Sequence, residues 1–341
     1  MSRPFGDWPT IPPVTEETKK AFKARLRAVI AWTGTVGLLA FLYFTTDRDA
    51  VAAAIGRADP VLFIATAFIA VAATYMTDVF TVKFLLGRVG IKVGFGEFAR
   101  IKGASYLLNI INYNLALVMM AAVVKKRSSK GWGAAGSPFV LLNFIDLSVF
   151  SIIVQAAIWT GRSPFDRAPT MILAILTLGG VLAAPALCLI SRIRNAPGWF
   201  GRVVNHDIMA AFRYIGPWSL LTMLAFRSIL ILEYGAMNLF FMRSFGVSVP
   251  PLTLLFFMAI TSFIAMVPIS VSGIGSTQVA MRGLYGPFVP DGVAPTAASK
   301  IAVVDAFSTA GIFGVLLIRV VLGIICMRDV SRYISEDGEK S

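Results

Sequence analysis

The chain has 341 residues, of which 57% are hydrophobic and only 14% charged, and its mean hydropathy is +0.77. A soluble core wrapped in a polar shell cannot have that composition, so the sequence reads as an integral membrane protein. The net charge of +13 would point to nucleic acid in a soluble chain, but here the Lys and Arg residues lie in short loops beside apolar stretches, where they orient a membrane protein.

Residues 1–27 form a charged segment containing Trp8, Pro9, Pro12 and Pro13, too long and too charged for a cleaved leader, and it is expected to be cytoplasmic. Crossing the hydrocarbon takes about 20 apolar residues. Stretches of that kind occupy 28–44, 60–82, 138–160, 170–190, 217–241 and 300–325. The expected organisation is a first membrane repeat over 28–160 and a connecting region over 161–216, in which the helix 170–190 begins the second repeat. The remainder of that repeat covers 217–325, and 326–341 is a cytoplasmic tail.

Two further apolar stretches are interrupted where a spanning helix should be unbroken. The first carries Asn109, Asn112 and Asn114 after Ser105, and the second carries Pro268, Ser270, Ser272, Gly273 and Gly275 after Ser262. Paired broken segments at matching places in two halves point to a substrate site in mid-membrane. Glycines also allow plain close packing of helices, but the density of Pro, Ser and Gly in the second break is hard to keep helical.

Loop charge supplies a topology. If every stretch crossed once, the basic loop with Lys83, Arg88, Lys92, Arg100 and Lys102 would face the side opposite Lys125, Lys126, Arg127 and Lys130, against the positive-inside rule. The conflict disappears if 104–124 enters from the cytoplasm, turns near Asn109 to Asn114 and returns. By the same logic 251–284 enters from outside and turns at 268–275, between flanks poor in Lys and Arg apart from Arg243 and Arg282. The fold class is therefore an all-α polytopic membrane protein of about six spanning helices plus two re-entrant helical hairpins, related by an inverted-topology repeat. Asp146 and Asp305 are natural mates under that symmetry, and both termini are expected in the cytoplasm of a cell with an inner membrane.

Ionisable residues within the spans are Asp78, Asp146, Arg227, Glu233, Asp305 and Arg319. Charges at that depth normally face a bundle interior and pair or line a pathway. Asp78 and Arg319 lie close enough to span ends to snorkel. Arg227 and Glu233, six residues apart, occupy different faces of one helix, so each requires a partner from another helix. The basic and aromatic connector 191–214 reads as an interfacial helix or a solvated link, and its His206 has no second His or Cys at ligand spacing. Cys188 and Cys326 stand near span ends and make no disulfide framework, so no metal and no cofactor is expected.

The run Pro268, Ser270, Gly273, Gly275, Gln278 is similar to a Pro-x-Ser-x-Gly-Gly-x-Gly-x-x-Glu pattern. Tyr106 to Asn112 more loosely matches a segment of asparagine, apolar pair, proline and glycine. On these residues the chain resembles the flippase-like family that shares the transmembrane region of lysylphosphatidylglycerol synthase. It departs from the pattern at Gln278, where a glutamate would stand, near Asn112, where a proline would, and near Asp305, where an arginine is common. No soluble aminoacyl-transferring domain follows the last span, so a complete lysyl-lipid synthase is not expected. The resemblance implies movement of a lipid or lipid-linked substrate.

The expected function is thus a flippase-like transporter whose head-group site is formed by Asn109, Asn112, Asn114, Asp146, Arg227, Glu233, Pro268, Ser270, Ser272, Gly273, Gly275, Gln278 and Asp305. Its partners are membrane lipids, anionic or lipid-linked, with a partner enzyme of lipid or glycolipid synthesis as a further candidate. A non-transporting scaffold of such a synthesis complex is one alternative. An intramembrane lipid-phosphate enzyme is another, but the paired-Asp, His-rich or Ser-x-x-Lys arrangements that it needs are absent from the loops.

Overall fold

The computed structural model describes residues 47–335 except 112, 129–130, 162–164, 194–196 and 267–274, together with a few positions between 33 and 45. At 110–114, 127 and 329–335 nothing is described of the side chains. Within these limits the chain is built of α-helices with short 3-10 turns.

Helix α1 (Arg48–Arg57) leads into α2 (Pro60–Arg88), and each is started by an aspartate. Asp47 accepts a bond from the Ala50 N–H and Asp59 one from the Leu62 N–H, both at 3.0 Å, which satisfies amides that the first turn leaves bare. Helices α3 (Phe95–Ile111) and α4 (Tyr113–Arg127) follow as a broken pair packed on one another. Helices α5 (Trp132–Trp159) and α6 (Arg167–Ile190) come next, then the short α7 (Gly198–Asn205) and α8 (Ala210–Tyr214), and then α9 (Pro217–Ser244). A second broken pair, α10 (Pro251–Met266) and α11 (Ser276–Tyr285), precedes the last long helix, α12 (Ala297–Ser335).

Five of these, α2, α5, α6, α9 and the 297–328 part of α12, are long and apolar enough to cross a membrane. They answer to five of the six apolar stretches, while the sixth, 28–44, lies largely outside the described residues. Their outer faces show the inversion that lipid permits. On α12 the exposed Phe313, Leu317, Val321 and Ile324 recur at three- and four-residue spacing as one stripe, and α6 exposes Ile172, Ile175 and Leu176. A helix satisfies its own backbone, which is why this composition resolves into helices in hydrocarbon.

Two buried clusters organise the bundle. One gathers Phe98, Ile101 and Ala104 of α3, Met120 and Val124 of α4, the first half of α5 (Phe139, Leu142, Ile145), the end of α2 (Leu85, Leu86) and the start of α9 (Met223). The other gathers Phe256 and Phe257 of α10, Tyr285 of α11, the last turns of α5 (Val154, Ala157), Met242 near the end of α9 and the first turns of α12 (Val304, Phe307). Each broken pair therefore belongs to one end of the bundle. Helix α2 ends and α5 begins in the first cluster, with α3 and α4 between them. Helix α9 ends and α12 begins in the second, with α10 and α11 between them.

Two expectations are corrected. Pro138 does not open its span: α5 begins at Trp132, and the proline sits inside the helix at the cost of one backbone bond. Its neighbour Ser137 explains why the early turns are held, since the hydroxyl donates to the Ile208 carbonyl at 2.6 Å and accepts from the Ala211 N–H at 2.7 Å. The connector is accordingly not a single helix. It is two short helices joined by a 3-10 turn, of which the turn and the second helix fold onto α5, with Phe212 and Ile215 buried and Trp199 exposed. His206 is a turn residue, its Nδ1 accepting from the Ile208 N–H at 3.2 Å.

The tightest approach of α5 and α6 runs over Gly180, whose carbonyl accepts from Ser148 Oγ at 2.9 Å. A Cβ at this position would overlap Ser151 Oγ, whereas Gly179 faces open space. Gly180→Leu is expected to destabilise the protein by about 1–3 kcal/mol through overpacking, and Gly179→Leu to leave it unchanged. Thermal unfolding of the two variants in the same detergent checks this, and equal midpoints would refute the close approach.

Candidate functional site

The first ionic centre forms where four helices meet. Asp78 lies on α2, Lys102 on α3, Asp146 on α5 and Arg227 on α9, and each side chain is 14% exposed or less. Arg227 grips Asp146 with two parallel bonds, Nε to Oδ1 and Nη2 to Oδ2, the latter at 2.5 Å. Its Nη1 donates to Asp78 Oδ1 at 2.6 Å, and Lys102 Nζ pairs with Asp78 Oδ2. The planar fork of arginine is the only side chain that can bridge two carboxylates in this way. Two cations and two anions cancel, so the centre carries no net charge into the apolar interior.

The snorkelling expected of Asp78 is overturned by this pairing: a lysine and an arginine meet the carboxylate inside the bundle, so it need not reach for a headgroup layer. Lys102 was read as a loop charge, but α3 already begins at Phe95, and Lys102 falls on the buried face with Phe98, Ile101 and Ser105. That three- and four-residue register was the available signal.

Glu233 follows Arg227 on α9 and takes a partner from α2, as its position on a different face requires. Thr77 Oγ1 donates to Glu233 Oε1 at 2.7 Å, while Oε2 is buried with no hydrogen-bond partner among the described residues. The carboxylate is the one charge lining a groove of about 350 Å³ between α2 and α9, among Leu62, Thr66, Ile69 and Met237.

The second centre joins α11 to α12. Arg282 donates from Nε and Nη2 to the two oxygens of Asp305 at 2.8 and 2.7 Å, and from Nη1 to Thr45 Oγ1 at 2.8 Å. Asp146 and Asp305 thus each carry an arginine from another helix. Arg282 gave no warning in the sequence, because its partner is on the next helix and no local spacing relates the two. These pairs differ in kind from the Lys300–Asp291 pair at the surface. There a hydrogen bond from Lys300 and its charge hold the exposed Asp291 below the usual carboxylate range, and water screens the attraction.

Of the second break, residues 267–274, and with them Pro268, Ser270, Ser272 and Gly273, lie outside the described residues. Gly275 is described and has φ +93°, a conformation that L side chains rarely adopt. Its N–H donates to Gln278 Oε1 at 2.6 Å, so the glutamine fastens the start of α11 to the end of the break. A neutral amide accepts that bond as a carboxylate would, which gives Gln278 a structural role where a glutamate was the pattern. In the first break Asn109 is half-buried in the last turn of α3, Asn112 lies outside the described residues, and of Asn114 only the backbone is described.

Between α9, α11 and α12 lies a cavity of about 300 Å³ that Tyr234, Asn238, Thr277, Ser308 and Arg319 line with polar atoms. Arg319 does not snorkel either. Its Nη2 donates to the Tyr234 hydroxyl at 3.2 Å, its guanidinium lies 5.0 Å from the Tyr106 ring centre, and its Nε is buried with no hydrogen-bond partner among the described residues. Among the described residues no group of His, Cys, Asp and Glu could hold a metal ion.

Buried ionic centres between long apolar helices, with polar cavities beside them, define a polytopic α-helical membrane protein. The family model described as the lysylphosphatidylglycerol synthase TM region matches residues 26–318, and the chain belongs to that family. Among curated proteins no sequence matches it.

Removing Arg227 leaves Asp146 buried with no cation. Arg227→Met is expected to cost about 3–5 kcal/mol, and the double variant Arg227→Met with Asp146→Leu markedly less, since an apolar pair replaces an ion pair better than a lone charge does. Unfolding midpoints of the purified variants decide; a double variant no better than the single would contradict the pairing.

Proposed function

We propose that the protein moves a lipid or lipid-linked head group between leaflets, with the head group received by the two broken helix pairs and the ionic centres beside them. The observation that supports this reading is the packing around the breaks: the start of α3 and the end of α4 share one buried cluster, the start of α10 and the end of α11 share the other, and the two clusters lie at opposite ends of α5 and α9. Irregular backbone at membrane depth is tolerated only inside protein or against a wet cavity, and inverted repeats with broken helices bring such a site within reach of both faces. Membership of the family supports a lipid-related role.

On this reading α3 with α4 and α10 with α11 are re-entrant hairpins, and the repeats are 28–160 and 170–325. The end carrying Lys83, Arg88, Lys92, Lys125, Arg202 and Arg328 is cytoplasmic, which puts both termini there and the chain in the inner membrane. Asn109, Asn112, Asn114, Pro268, Ser270, Ser272 and Gly273 line the path of the head group, and Gly275 with Gln278 shapes its wall. Asp146, Arg227, Glu233 and Asp305 supply charge. Acyl chains stay in lipid along the exposed helix faces.

Reconstitution tests this. Fluorescent lipids placed in one leaflet of proteoliposomes are expected to appear in the other faster than in empty liposomes. Equal rates across neutral, anionic and cationic lipids would reject transport and leave the scaffold reading, in which the protein co-purifies with a lipid or glycolipid synthase.

A further inference from the structure

Among the described residues three arginines, Arg227, Arg282 and Arg319, lie buried between helices, and they differ in one respect. Arg227 is forked onto Asp146, and Arg282 onto Asp305. Among the described residues Arg319 is paired with no carboxylate. Its guanidinium offers five donors and is charged at every pH the protein meets, yet among the described residues it makes one hydrogen bond, to the neutral Tyr234 hydroxyl at 3.2 Å. Asp78, whose charge reaches it through the bundle, is already paired with Lys102 and Arg227. The Arg319 guanidinium also lies over the Tyr106 ring, 5.0 Å from the ring centre, and that ring is no anion.

This guanidinium lines the cavity of about 300 Å³ between α9, α11 and α12, and no acidic side chain shares the lining. A lone cation with unused donors in a poorly solvated space calls for an anion. The other wall is apolar, built from Met237, Phe241, Met281, Ile312, Val315 and Leu316. A void of this size holds on the order of ten waters by liquid volume. That is room for a head group and its first carbons but not for two acyl chains. Met237, Ile312, Val315 and Leu316 are only half-buried, so the chains would leave past them into lipid.

We infer that this cavity binds the head group of a monoanionic lipid, a phosphate diester such as that of phosphatidylglycerol, with the phosphate on Arg319. One guanidinium balances one negative charge. A diphosphate would bring more charge than the lining can neutralise, and a lipid of net positive charge would meet repulsion. The inference rests on the transport reading only for the lipid's being cargo; binding itself is independent of it.

The full-length protein in detergent would be titrated with phosphatidylglycerol, phosphatidylcholine, lysylphosphatidylglycerol, a polyprenyl diphosphate and inorganic phosphate, with bound lipid read by native mass spectrometry. Phosphatidylglycerol is expected to bind at least about tenfold more tightly than each of the others. Arg319→Gln should weaken it by about tenfold or more, the scale of a lost charge-assisted hydrogen bond, and Arg319→Lys by less. Because Arg319→Gln also gives up the tyrosine contacts, Ile312→Trp supplies a second arm that fills the cavity and leaves the charge in place. It too should lose binding, with an unfolding midpoint like the parent's. Equal affinity for lysylphosphatidylglycerol or phosphatidylcholine, inorganic phosphate binding as tightly as the lipid, or parental affinity in Arg319→Gln or Ile312→Trp would each overturn the assignment. If phosphatidylglycerol binds but changes leaflet no faster than in empty liposomes, the transport reading falls and the site stands. Leaflet exchange without preference for head-group charge, together with equal binding, removes the site alone.

Discussion

Charge cannot stand alone between apolar helices, and the bundle is arranged around that constraint. Arg227 is its pivot: one guanidinium takes both oxygens of Asp146 on α5 and one of Asp78 on α2, while Lys102 closes the remaining oxygen from α3. Helices that share little sequence-local contact are thereby held in one register, because shifting any of them by a turn would strand a charge. At the other end Arg282 and Asp305 do the same for α11 and α12. Lys102 of the first broken pair and Arg282 of the second both belong to these centres, so each centre ties one pair to the long helices.

Apolar packing fills in around these anchors. The two clusters lie at opposite ends of α5 and α9, each built around one broken pair, and a lipid-facing skin of Ile, Leu and Phe covers the outside. Between the ends sit the groups whose charge is not cancelled: Glu233, with one oxygen unbonded among the described residues, and Arg319, with one long bond to a tyrosine. A protein that only needed to be rigid would gain nothing from leaving these two incomplete. Their grooves share Met237, so the groove holding the acid and the groove holding the base flank α9.

Much of this was legible in the sequence. Apolar length located the five described spanning helices, because hydrocarbon enforces that rule residue by residue. The separate faces of Arg227 and Glu233 followed from helix geometry, and both residues do find partners on other helices. Pairings between distant elements were not legible. Asp78 with Arg227 and Arg282 with Asp305 are decided by which helices neighbour one another, and no spacing along the chain encodes that. Proximity to a span end misled for Asp78, which two cations meet inside the bundle, and for Arg319, which is held between Tyr234 and the Tyr106 ring. Gln278 departed from the family pattern and still serves the break, because the bond to the Gly275 N–H needs an acceptor and not a charge.

The account stands on two broken pairs entering from opposite faces, and sidedness tests it most directly. Both native cysteines are buried, so a single cysteine introduced at Ser128, after α4, or at Gly292, beyond α11, reports alone to an impermeant thiol reagent. The account predicts that in intact cells the cysteine at 292 is labelled and the one at 128 is labelled only after the membrane is opened. Labelling of both from the same side would contradict it.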